Sequence, residues 1–126
     1  MGDLTLALGL SASGMEAQAT RLRHISENIA NADTPGYRRK VIGFRLDSDQ
    51  SRVITGPVQL DQSELKSIYD PSNPLADSNG RFPGSNVDLV IEIADAREAQ
   101  RGYEANLKLF DQARQMAQSL LELLRR

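Results

Sequence analysis

Apolar residues recur at helical spacing from Leu4 to about Asn31, in two columns seven residues apart: Leu8, Met15, Leu22 and Ile29, with Leu4, Ser11, Gln18 and Ile25 interleaved. This spacing predicts a helix carrying a coiled-coil-like seam. Ser11 and Gln18 dilute the seam, and Gly9 and Gly14 each lower helix propensity by up to ~1 kcal/mol, so the helix is marginal alone. Ala12, Gly14 and Ala19 allow a neighbouring helix to come close. A second helical pattern runs without proline from Val87 to Arg126, with the column Leu89, Ala96, Tyr103, Phe110, Ala117 and Leu124. Ile93, Leu107 and Leu121 flank that column on one side, and Ala99, Ala113 and Leu120 on the other. At ~1.5 Å per residue this helix is roughly 60 Å long. Ser85, with Asp88 three residues on, has the form of a capping box before the apolar run.

Between the helices the period changes. Thr34 precedes Pro35, whose ring disfavours helix at the residue before it, and Pro35-Gly36 suits the centre of a type II turn. Asn28 and Asn31 sit where side chains bond their own backbone at a helix end. From Tyr37 onward Ile42, Phe44 and Leu46 alternate, followed by Val53-Ile54, a Gly56-Pro57 turn, Val58 and Leu60, then Leu65 to Tyr69. These segments predict three or four short strands with a hairpin loop over 47–51. The stretch from Asp70 to Asn86, rich in Pro, Asn and Gly, reads as a long loop lying along another surface.

The expected architecture is therefore mainly α with a small β insert. An N-terminal helix and turn occupies 1–36, a β-rich insert with its long loop 37–84, and a long C-terminal helix 85–126. The two helices form a coiled-coil-like pair. A small insert cannot cover both apolar stripes, so the stripes should be buried against each other and against further copies. The residues expected to carry that subunit packing are Leu4, Leu8, Met15, Leu22, Ile25, Ile29, Tyr103, Leu107, Phe110, Ala117, Leu120 and Leu124. Those expected to fix the turn are Asn28, Asn31, Thr34, Pro35, Gly36 and Tyr37.

Composition narrows this further. The chain has 126 residues, room for one modest core. Aromatics make up 5% and there is no Trp, which points to a thin core. Without Cys, neither disulfides nor thiolate metal sites can form. A formal charge of −2 gives no reason to expect a nucleic-acid partner. The cluster Arg38, Arg39, Lys40 and Arg45 is expected to be a solvated strand face or a contact to an acidic protein surface. Leu4 to Leu10 is apolar, but no basic residue precedes it and Asp3 is acidic, which argues against a signal peptide. Leu6 stands where myristoylation requires Ser or Thr, so no lipid anchor is expected.

Candidate chemistry is sparse. His24 is the only histidine, and Ser26 two residues on points away from it on a helix, so a surface or interface role is expected. Glu92, Asp95 and Glu98, interspersed with Arg97 and Arg101, read as a solvated helix face. Asp70, Asp77 and Asn79 do not follow the calcium-loop pattern. No catalytic, cofactor or metal residues are assigned, and a non-enzymatic protein is expected.

Three stretches carry a family resemblance: SGMEAQATRL from Ser13 with SENIANADTPGYRRK from Ser26, GYEANLKLFDQA from Gly102, and YDPSNPLADSNG from Tyr69. The chain resembles the flagellar rod and hook axial proteins, and the third stretch points to the C-type branch of the proximal-rod proteins. RFPGSNVD from Arg81 departs from the usual arrangement of Tyr, Pro and Asn before the second helix. The resemblance implies a structural subunit of the periplasmic rod that carries motor torque to the hook. It also implies terminal helices packed in an inner tube and export through the flagellar type III apparatus without a cleaved leader. The partners it implies are further copies and other rod proteins, in homo- and hetero-oligomers. By the same resemblance Asn28, Ile29, Asn31, Thr34, Gly36 and Tyr37 fix the turn, and Tyr103, Ala105 and Asn106 belong to the facing helix. The other class of protein that fits the seams is a soluble coiled-coil adaptor or secretion chaperone.

Overall fold

Two helices and six short strands make up the computed structural model, which describes residues 2–125. Helix α1 spans Gly2–Ala30 and helix α2 spans Leu89–Leu124. Between them lie β1 (Lys40–Val41), β2 (Phe44–Leu46), β3 (Val53–Thr55), β4 (Gln59–Leu60), β5 (Ser67–Tyr69) and β6 (Arg81–Pro83). The strands pair antiparallel as three separate two-stranded ladders, β1 with β4, β2 with β3 and β5 with β6. Ladders of two or three residues do not hold by themselves. They lean on the helices.

The helices run antiparallel in a fixed register. A Cβ added to Gly14 would meet the Asn106 side chain at 2.8 Å, one added to Gly102 would meet Gln18 Nε2 at 2.5 Å, and Asn28 bonds to Glu92. Each step along α1 is thus matched by an equal step back along α2. The two glycines let the backbones approach where a side chain from the other helix fills the space.

The seam facing inward is made of small and polar residues. Ser11, Gly14, Ala17, His24, Ile25 and Asn28 are buried on α1, and Glu92, Ala99 and Ala113 on α2. Phe82 from β6 and Val87 complete the apolar core. Of the two columns predicted on α1, the diluted one turns inward. Leu8, Met15 and Leu22 stand half-buried on the flank, and Ile29 is exposed. The reason is steric: short side chains permit closer helix contact than a leucine seam.

Several local expectations need correction. The insert has six strands rather than three or four, because the first predicted strand divides into β1 and β2 in different ladders, and because Arg81–Pro83 lies within the supposed loop and pairs with β5, Ile68 opposite Phe82. Pro83, lacking an N–H, stands at the end of that strand, opposite Ser67. The capping box is not formed. Asp88 alone caps α2, accepting from Val90 N at 3.0 Å, while Ser85 Oγ donates to the Ala32 carbonyl. His24 is buried rather than at the surface, with Nδ1 3.8 Å from a Glu27 oxygen.

The β2–β3 hairpin covers one side of the helix pair, where Val53 N donates to Ser13 Oγ at 2.8 Å. On another part of the pair Ala19, Leu22, Gln100, Tyr103 and Glu104 line an open groove of about 280 Å³. No helix among the described residues is long and apolar enough to cross a membrane.

Candidate functional site

The turn after α1 is built by its own side chains. Thr34 N donates to the Asn31 carbonyl at 3.0 Å and Thr34 Oγ1 to Asn31 Oδ1 at 3.1 Å. Tyr37 N then donates to the Thr34 carbonyl at 3.2 Å, with Pro35 and Gly36 between them. Gly36 has φ of 76°, the left-handed region that a type II turn requires at its third residue. Its N–H is turned toward β6, donating to the carbonyls of Pro83 at 3.2 Å and Gly84 at 3.1 Å. The turn therefore docks the insert as well as reversing the chain.

Asn28 is the centre of the joint. Its side chain is fully buried, and all of its hydrogen-bonding capacity is used. Nδ2 donates to the Lys40 carbonyl at 3.0 Å and to Glu92 Oε2 at 3.2 Å, while Oδ1 accepts from Tyr37 Oη and Lys40 N, both at 2.8 Å. One amide thus joins α1, the turn, β1 and α2. Burial is the main cause pushing the Tyr37 phenol above its ordinary value.

Arg39 closes the other half. Nε donates to Glu92 Oε1 at 2.6 Å, Nη1 to Asp61 Oδ2 at 3.2 Å and Nη2 to Asp95 Oδ2 at 3.1 Å. Burial alone pulls the Arg39 guanidinium down, but the hydrogen bonds and charges of Glu92, Asp61 and Asp95 outweigh it and hold the group above its ordinary value. Asn86 ties the strand end to the same cluster, accepting from Arg39 N at 2.7 Å and donating to the Asp61 carbonyl at 2.9 Å. At the rim Lys40 Nζ donates to Glu27 Oε2 at 2.7 Å.

This cluster overturns two readings of the sequence. Glu92 and Asp95 are not part of a solvated face, since Glu92 is 0% exposed, although Glu98 does reach solvent. Nor is Arg39 on a solvated strand face. The acidic surface it meets belongs to its own chain. Glu92, Arg39, Asn86 and Asp61 went unassigned from the sequence. The available signal was a single carboxylate inside the apolar run Leu89 to Ile93. Among the described residues no cluster of potential metal ligands occurs. What this arrangement does chemically is hold: its donors and acceptors are spent on one another.

The packing residues expected from the sequence divide differently. Ile25 is buried within the subunit. Leu4, Leu8, Met15, Leu22, Phe110 and Ala117 are half-buried along the helix flanks, and Ile29, Tyr103, Leu107, Leu120 and Leu124 are exposed. Exposed with them are Val90, Ile91, Ile93, Leu109, Met116 and Leu123. So many large apolar side chains on the outside of so small a fold make this face the candidate interaction surface. The joint holds the helices that carry it in register.

Known proteins share both ends of the chain. The family model described as flagella basal body rod protein matches residues 8–38, which cover most of α1 and the turn. The family model described as flagellar basal body rod FlgEFG protein C-terminal matches residues 78–123, which cover β6 and nearly all of α2. The flagellar basal-body rod protein FlgC of Agrobacterium fabrum is 43% identical over 136 aligned positions, covering 99% of this chain and 98% of the relative. That of Aquifex aeolicus is 35% identical over 131 positions, with 97% and 98% covered. That of Salmonella typhimurium is 34% identical over 125 positions, with 90% and 92% covered. Identity and coverage of this degree mean that the chain belongs to the flagellar basal-body rod protein family, on its FlgC branch.

Proposed function

We propose that this chain is a structural subunit of the basal-body rod that polymerises through its terminal helices and passes motor torque toward the hook. One observation carries the reading. The inward seam uses Ser11, Gly14, Ala99 and Ala113, while Leu107, Leu120, Leu121 and Leu124 face out. A monomer would gain by the reverse arrangement. Only burial against other subunits turns this distribution into stability.

The joint supports the mechanical part. Torque applied to the β insert reaches the helices through Arg39, Asn28 and the Gly36 docking bonds, with Asn28 and Glu92 at the centre shielded from solvent. A strut of this kind transmits load without a moving part. The partners in this reading are other copies and other rod proteins, and delivery to the periplasmic rod is by the flagellar type III apparatus without removal of a leader. The reading is non-enzymatic: the polar groups at the joint are committed to structure.

The test is mass spectrometry of detergent-purified hook and basal-body complexes. Presence of the chain at a stoichiometric level supports the rod reading. Intact basal bodies without it overturn that reading in favour of a coiled-coil adaptor or secretion chaperone.

A further inference from the structure

We infer that Asn79 is a site of spontaneous covalent modification, kept unreactive by the folded loop between β5 and β6 and open to deamidation whenever that loop is unfolded. The chain contains one Asn-Gly pair, Asn79-Gly80. Its glycine nitrogen has no Cβ beside it, so nothing hinders attack on the asparagine side chain. The other asparagines are followed by Ile29, Ala32, Pro74, Val87 and Leu107. Each of these puts a Cβ next to the nitrogen, and Pro74 also has no N–H proton to lose.

The reaction consumes water and no other reagent. The Gly80 nitrogen bonds to Asn79 Cγ, and Nδ2 leaves as ammonia, carrying the proton lost from the Gly80 nitrogen. The product is a five-membered succinimide, which water then opens at one of two bonds. Cleavage between Cγ and the nitrogen leaves aspartate in a normal backbone. Cleavage between the Asn79 main-chain carbonyl carbon and the nitrogen leaves isoaspartate, whose chain runs through the former side chain and is longer by one methylene.

Asn79 is exposed, yet the loop denies it ring closure. Gly80 N donates to the Asp77 carbonyl at 3.0 Å, and Asn79 N donates to Asp77 Oδ1 at 2.8 Å. The Gly80 carbonyl accepts from Asp70 N at 2.8 Å. Gly80 has φ of 77°, and a Cβ added there would meet Tyr69 Cε2 at 2.9 Å and Pro71 Cγ at 3.0 Å. Its nitrogen therefore cannot turn toward Cγ without breaking the bonds that close the loop. Attack waits for the loop to open.

The same contacts make the damage consequential. A methylene inserted between Asn79 and Gly80 pushes Gly80 off Tyr69 and Pro71 and out of line with Asp70 N. Strand β6 follows at once, with Arg81 opposite Tyr69 and Phe82 in the core. Next along are the Pro83 and Gly84 carbonyls that receive the Gly36 N–H. The new charge matters less. Asp70 and Asp77 share the loop with Arg81, and the bonds that close it use the Asn79 backbone rather than its side chain.

The full-length chain is incubated at mildly alkaline pH, in buffer and in the same buffer with denaturing guanidinium, and its peptides are followed by mass spectrometry. Asn79 should be the fastest asparagine to deamidate in guanidinium, and should react roughly tenfold slower in the folded chain. Equal rates in the two conditions, or another asparagine outpacing Asn79 in guanidinium, overturn the inference. The isoaspartate-bearing chain is then separated and refolded beside an Asn79→Asp variant, which has the charge and not the methylene. Amide-exchange protection at Asp70 and Gly80 should be lost in the first and kept in the second. Protection kept in both, or lost in both, overturns the claim that the longer backbone opens the loop.

Discussion

Arg39 Nε lies 2.6 Å from a carboxylate oxygen of Glu92, and that carboxylate is shut off from solvent altogether. Removing one member of a buried pair strands the other charge, which costs about 3–5 kcal/mol. Arg39→Ala should therefore lower the unfolding free energy by that order, read from the denaturant midpoint. The double variant Arg39→Leu with Glu92→Leu strands nothing and should be clearly more stable than Arg39→Ala. Equal loss in both would mean that the ion pair does not hold the joint.

The same pair shows how much of the protein was legible in its sequence. Helices, turn and insert follow from local signals: period, proline position, and Asn at a helix end. The joint does not, because it depends on which residues meet across 53 positions between Arg39 and Glu92. Glu92 and Asp95 stand three apart on one helix face beside Arg97, which looks like an ordinary surface pattern until β1 is laid over it. The phase of the seam was hidden for a related reason. Hydrophobic periodicity ranks Leu8, Met15, Leu22 and Ile29 above Ser11, Gln18 and Ile25. Close antiparallel packing prefers the smaller set and leaves the leucines half-buried on the flanks. The turn was the most legible part of the site, since Gly36 is required by its own φ and Thr34 by the proline after it.

Gly14 presses on the Asn106 side chain, since an added Cβ would sit 2.8 Å from Asn106 Cγ, Nδ2 and Oδ1 alike. Asn106 is not free to swing, because its Nδ2 donates to the Gly102 carbonyl at 2.9 Å. Gly14→Ala gains ~1 kcal/mol of helix propensity but overpacks the seam, which typically costs about 1–3 kcal/mol. The expected outcome is a net loss of thermal stability that Asn106→Ala, by removing the obstructing amide, largely restores. A stabilised Gly14→Ala single variant would show that the helices are not held this closely.

Acid should loosen the fold before base does. The hydrogen bond from Lys40 lowers the Glu27 carboxyl, and bonds from the Ser63 backbone and hydroxyl lower Asp61. Asp49 is pulled down to about 2, chiefly by its hydrogen bond with Asp47 and then by Ser51. Each group binds its proton more weakly in the folded chain than in the unfolded one. What they contribute is complete above the ordinary values of 4.5 for Glu27 and 3.8 for the two aspartates, and is lost as pH falls through the lowered ones. Because Asp49 is exposed and Glu27 and Asp61 are partly so, the effect is modest. Lys40, raised by its bond to Glu27, works in the opposite sense and gives way only as pH rises past its ordinary 10.5. Melting temperature measured from pH 7 down to pH 3 should decline, with Glu27→Gln flattening part of that slope.

Leu22 and Phe110 lie half-buried on the flanks of the two helices, Leu22 beside the open groove. A carboxylate placed at either position would be buried without a partner once subunits close around it, at a cost that a dry interface does not tolerate. Leu22→Asp and Phe110→Asp should abolish incorporation into basal bodies and with it swimming. Normal swimming of Phe110→Asp would contradict the assignment of these flanks to subunit contact.

The last expectation concerns the free chain. Inside α1 the seam offers Ser11, Gly14, Gln18 and Asn28, so little apolar area is buried between the helices before neighbours arrive. A long helix of marginal propensity, packed on small residues, recovers little of the conformational entropy that ordering it costs. Both terminal segments should therefore be only marginally stable in a dilute subunit, opening by local unfolding, and be locked on assembly, binding supplying the stability that the monomer lacks. Amide exchange at low concentration should be fast from Leu8 to Ile29 and along the second half of α2, and should slow when the chain is part of a basal body. Strong protection of Leu8 to Ile29 in a dilute monomer would sink the idea, and would mean that the joint at Asn28 and Glu92 is enough to hold the helix pair on its own.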